Sequence, residues 1–104
     1  MIRCRENVTS FVFFPETYLG LNAVEIIYRI DDASAQRARW NISSTHQSAG
    51  LWNGGTAIPF LQQLLGKSRL VLRVQPDSGS LVTATFDLTG VDDAIQAVRD
   101  ACRW

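Results

Sequence analysis

A chain of 104 residues has the size of one domain, with room for one hydrophobic core and none for an internal linker. Ten Lys+Arg balance ten Asp+Glu, so the chain lacks the broad positive field behind non-specific nucleic-acid binding. Apolar residues at 46% are enough to fill a core and argue against disorder, and no apolar run approaches the roughly 20 residues that span a bilayer.

The opening Met1-Ile2-Arg3-Cys4-Arg5-Glu6 reads as a strand, not as a charged region followed by an apolar one. If the protein is exported, its signal segment precedes this sequence and Met1 is a replacement start. Residues 9–14 are aromatic and β-branched, and Pro15 restricts them to a sheet edge or a strand end. Residues 23–31 alternate: Val24, Ile26, Tyr28 and Ile30 share one face, and Glu25, Ile27, Arg29 and Asp31 the other. A turn at residues 31–34 leads to a weaker alternation, with Ala38, Trp40 and Ile42 inward and Arg39, Asn41 and Ser43 outward.

Residues 43–55 are rich in Ser, Gly, Asn and Thr, carry His46 and Trp52, and read as a surface loop. A helix follows, with Thr56 as N-cap, Pro59 in the first turn, an apolar face of Ile58, Phe60, Leu61, Leu64 and Leu65, and Gly66-Lys67 as its end. Residues 69–75 and 81–88 form a hairpin around the turn formers of 76–80. Leu70, Leu72, Val74, Val82, Ala84, Phe86 and Leu88 face inward, against an outward set of Arg69, Val71, Arg73, Thr83, Thr85 and Asp87. A last helix runs from about Val91 to Cys102, capped by Thr89 or Gly90, with Asp92 and Asp93 against the positive end of its dipole and Cys102 turned inward. The fold class expected is α+β: a small antiparallel sheet or sandwich of about five to six strands packed with two helices, in one domain over 1–104.

The two cysteines, Cys4 and Cys102, bracket the chain. An even pair at the extreme ends suits a structural disulfide joining the first strand to the last helix, and with it an oxidising compartment. Two buried free thiols are the alternative. A metal site is disfavoured, because zinc needs three or four ligands in short paired spacings and His46 is the only histidine.

No catalytic constellation emerges. His46 has only Ser43, Ser44 and Thr45 close in sequence, and Asp31-Asp32 point to opposite faces of a strand end. Asp92-Asp93 are helix-start charges, and no glycine spacing cradles phosphate. No cofactor or metal is expected, and the chain is read as not an enzyme. Nine of the ten basic residues are Arg, a bias that suits planar recognition of carboxylates. Arg29 and Arg73 on polar strand faces, Thr83 and Thr85 beside them, and Trp52 in its loop are the candidate binding residues. Arg29 and Arg73 are also placed to pair with Glu25 or Asp87.

The segments Ile2-Arg3-Cys4-Arg5-Glu6-Asn7 with Thr9, Tyr28-Arg29-Ile30-Asp31, Trp40 with Ser43, Ala84-Thr85-Phe86-Asp87-Leu88-Thr89-Gly90 and Ala101-Cys102-Arg103-Trp104 together resemble the TagO/VasI family, which accompanies bacterial type VI secretion systems. The resemblance covers nearly the whole chain and includes both cysteines. It implies a periplasmic or envelope accessory protein that binds secretion-machine proteins, with no catalytic residues to carry over. Arg103 departs from the small residue expected between that Cys and Trp. The alternative is a disulfide-closed inhibitor or immunity protein that presents residues 43–55 to an enzyme of the envelope.

Overall fold

A computed structural model describes residues 2–15, 19–20, 22–76 and 80–104. The elements in chain order are β1 (Ile2–Arg5), β2 (Val8–Phe13), β3 (Ala23–Ile30), β4 (Gln36–Ile42), β5 (Ala49–Leu51), α1 (Gly54–Leu64), β6 (Arg69–Gln75), β7 (Val82–Asp87) and α2 (Val91–Cys102). Among the described residues, seven strands form one antiparallel sheet in the order β1-β2-β5-β4-β3-β6-β7. The α+β class is therefore found, as a single sheet.

The expected five or six strands become seven because a strand lies inside residues 43–55. Ala49–Leu51 pairs with β2 on one side, Val12 opposite Gly50, and with β4 on the other, Asn41 opposite Gly50. Ser48, Ala49 and Gly50 are buried, so the middle of the expected surface loop is sheet interior. Gly50 is required there: a Cβ would stand 2.5 Å from the Phe11 carbonyl oxygen and 3.2 Å from Val12 Cα, both unyielding backbone. Interposing β5 also moves β2 away from the edge, and Pro15 lies beyond its last residue, where no ladder hydrogen bond is lost.

Two-residue turns and caps account for several local shapes. Glu6 and Asn7 both take positive φ, 53° and 61°, as a tight hairpin between Arg5 and Val8 requires. Asn53, not Thr56, caps α1, its side chain accepting the Thr56 N–H at 3.1 Å. The helix consequently starts at Gly54 and carries Pro59 in its second turn, on an exposed side. Helix α2 has the expected bounds, with Gly90 at φ 82° as its N-cap and Asp92 and Asp93 in its first turn. Of the turn expected at 76–80, residues 77–79 lie outside the described residues.

Both helices pack on one face of the sheet. Val24, Ile26, Ile30, Trp40, Leu70, Leu72 and Val74 are buried on that face, as their alternation requires. Phe60 of α1 is the hub, its ring 5.1 Å from Phe11, 5.2 Å from Tyr28 and 5.3 Å from Trp40, in tilted and edge-on arrangements that suit aromatic quadrupoles. The sheet also rolls around this core. In a flat sheet β2 and β7 would lie roughly 24 Å apart at strand spacing, yet the rings of Phe13 and Phe86 are 5.7 Å apart. The last turn of α2 closes over β1 through a disulfide between Cys4 and Cys102. Beside it the Trp104 indole N–H donates to Thr9 Oγ1 at 2.8 Å, and the Arg99 guanidinium stacks over the indole at 5.6 Å.

Candidate functional site

The face of the sheet turned away from the helices collects the polar half of every alternating strand. Register places Arg29 of β3 opposite Val71, and Ile27 between Arg37 of β4 and Arg73 of β6. Arg39 lies opposite Glu25, and on the far side Arg73 is opposite Thr83 and Val71 opposite Thr85. Arg29, Arg37, Arg39, Arg69 and Arg73 are all exposed. Five guanidinium groups thus share three adjacent strands, against Glu25 and Asp87 on the same strand face.

Most of the neighbouring acidic groups are already engaged. Glu25 accepts from Arg37 at 3.1 Å. Asp31, with φ 49°, folds back so that its carboxylate accepts the backbone N–H groups of Ser68 at 2.9 Å and Arg69 at 2.8 Å. Those two bonds hold its pKa below the usual carboxylate value, Ser68 contributing most. Asp87 accepts from the Thr89 hydroxyl at 2.7 Å and the Thr89 N–H at 2.9 Å, which likewise lowers its pKa, the hydroxyl first. Asp32 stands 3.9 Å from Arg69.

The expected pairing of Arg29 and Arg73 with Glu25 or Asp87 is not what forms among the described residues. Arg29 Nε instead donates to the Ala33 carbonyl at 3.1 Å, bracing the β3–β4 turn. Arg73 has no ion-pair partner among the described residues. Arg29 and Arg73 are diagonal neighbours across β3 and β6, within reach of one anionic group between them. Thr83 and Thr85 continue this face onto the edge strand.

Trp52 belongs to the same side of the molecule. Its indole N–H donates to the Asn41 carbonyl at 2.8 Å, and the ring lies 3.4 Å from where a Cβ on Gly50 would stand. The ring is half-buried, so it is a fixed wall at the β4–β5 end of the face and not a free loop residue. Trp40 is in the core at 2% exposure. His46, with φ 62°, stands with Nδ1 3.0 Å from the Gly20 carbonyl oxygen.

Arg37, Arg39 and Arg69 complete the face but were not among the sequence candidates. The signal available was the i, i+2 spacing of Arg37 with Arg39 and the outward parity of Arg69 with Arg73. What the sequence did not supply was the order of the strands, which alone brings the two sets against β3. Among the described residues no helix is long and apolar enough to cross a membrane.

Comparison with known proteins adds one finding. The family model described as "Type VI secretion system VasI, EvfG, VC_A0118" matches residues 1–104. No curated protein and no solved structure matches the chain.

Proposed function

This chain belongs to the VasI family of type VI secretion proteins, and from that premise we propose that it serves the secretion system as a non-catalytic accessory protein of the periplasm, binding an acidic protein surface with its arginine face. The observation that carries the reading is the gathering of Arg29, Arg37, Arg39, Arg69 and Arg73 on one open sheet face of a chain whose formal net charge is +0. Like charges on adjacent strands cost stability, and a face used only for solubility mixes the two signs. Guanidinium groups fixed on strands are preorganised forks for carboxylates, which gives an acidic partner both orientation and rapid encounter. The disulfide supports the compartment, since such bonds persist where thiols are oxidised.

The test is a pull-down from envelope extract of a type VI-positive bacterium, with the partners identified by mass spectrometry. The double variant Arg29→Glu/Arg73→Glu is expected to lose the retained partner at least tenfold, and Asp92→Arg on α2 to keep it. Raising salt is expected to weaken the wild-type interaction, as a rim of solvated charges requires. An unchanged set of partners in the double variant defeats the assignment of this face.

A further inference from the structure

Among the described residues β7 is an open edge strand, and its only charge is Asp87 at the strand end. It has β6 on one side only, and its six residues, Val82–Asp87, contain no Pro and no Lys. The other edge strand, β1, is four residues long and is covered by α2 and its disulfide. The hydrogen bond from Leu88 N to the Ser68 carbonyl sets the phase of the β6–β7 ladder, so Val82, Ala84 and Phe86 exchange backbone bonds with β6. The N–H and C=O groups of Thr83, Thr85 and Asp87 therefore point to the open side.

Directly beside this edge is a cavity of about 720 Å³ between β7, the end of β2 and the two helices. Phe13, Phe14, Val82, Ala84, Phe86 and Val91 are among its walls. Phe14 at its mouth is 54% exposed. The same alternation that turns Val82, Ala84 and Phe86 into the cavity turns Thr83 and Thr85 toward the arginine face, with Arg73 opposite Thr83.

The geometry points to a peptide-binding site in which an extended segment of a partner protein adds to β7 as an eighth strand. Its residues opposite Val82, Ala84 and Phe86 are apolar and enter the cavity. The residues alternating with them face outward, and acidic side chains there meet Arg73, whose guanidinium has no ion-pair partner among the described residues. Backbone hydrogen bonds from Thr83, Thr85 and Asp87 supply affinity, and the cavity and Arg73 supply specificity. This site has its own floor and edge, and shares Arg73 and the outward face of Thr83 and Thr85 with the face proposed above.

The probe is the blocked peptide Val-Glu-Val-Glu-Val-Glu-Val, titrated into the protein by calorimetry and by amide hydrogen exchange. Binding is expected to protect the amides of Thr83, Thr85 and Asp87. Affinity is expected to fall at least tenfold with lysines in place of the glutamates, and at least as much for a peptide of the same composition with its four Val in one block. In Thr85→Pro the outward N–H is removed while the β6–β7 ladder keeps its bonds, and Ala84→Trp fills the cavity; each is expected to cut binding tenfold or more with the fold retained by circular dichroism. Equal peptide binding by wild type and both variants overturns the proposal, as does no protection at β7 with millimolar peptide. A wild-type dimer that Thr85→Pro dissolves also overturns it, in favour of a second copy at this edge. So does tighter binding of dodecanoate than of peptide, which would make the cavity a lipid site. Loss of the envelope partner in Arg29→Glu with peptide binding intact separates the arginine-face partner from this site, and peptide binding unchanged in Arg73→Glu overturns the contact assigned to Arg73.

Discussion

Asp31 shows how one side chain serves architecture where its neighbours suggested chemistry. As half of an Asp-Asp pair it resembles the beginnings of an acid–base site, but its carboxylate caps the Ser68 and Arg69 N–H groups at the start of β6. Its folded pKa lies below the ordinary carboxylate value. A carboxylate with a depressed folded pKa contributes stability that is complete above its unfolded value and is lost as pH falls through the folded one. Urea midpoints measured between about pH 6 and pH 2 are therefore expected to fall less steeply in Asp31→Asn than in wild type, since the amide keeps an acceptor but does not titrate. Identical slopes would mean that the two bonds do not distinguish the charged form. The same lesson applies to Asp87 and Glu25, whose partners, Thr89 and Arg37, are not the arginines expected to pair with them.

At the scale of elements, legibility followed the strength of the alternation. Strands β3, β6 and β7 and helix α2 were readable because each repeats its apolar residues over two or more turns or pleats, and burial then follows parity. β5 was not readable, because Ala49 and Gly50 are small residues among Ser, Gly and Asn, and their burial comes wholly from neighbours distant in sequence. Gly50→Ala is expected to destabilise the fold by about 2 kcal/mol, as overpacking against fixed backbone does, read as a lowered urea midpoint. A loss within about 0.5 kcal/mol, the range of ordinary surface changes, would show that β5 shifts freely between its partners. The rolling of the sheet that brings Phe13 to Phe86 was also hidden, since inward parity tells which face a residue takes but not how far the sheet bends. The cavity beside β7 depends on that bend.

Across the whole molecule, a net charge of zero concealed a segregation: Arg side chains gather on the open sheet face, while Asp92, Asp93 and Asp100 lie on α2. The strand order creates this asymmetry, and no composition reports it. The disulfide acts at the same scale, closing a loop whose ends are 98 residues apart. Replacing both cysteines by Ala is expected to cost about 4 to 5 kcal/mol if loop-closure entropy dominates, seen as a lower thermal midpoint that reductant no longer changes. A midpoint equal to that of oxidised wild type would assign the end-to-end closure to Trp104 and its bond to Thr9 alone. The same link has a mechanical meaning. Tension applied between the first and last residues passes from Cys4 to Cys102 through a covalent bond, and the strands and helices between them lie off the path of the load. A pull that would peel an open chain apart strand by strand leaves this sheet slack, with its arginine face and its bare edge in shape under strain.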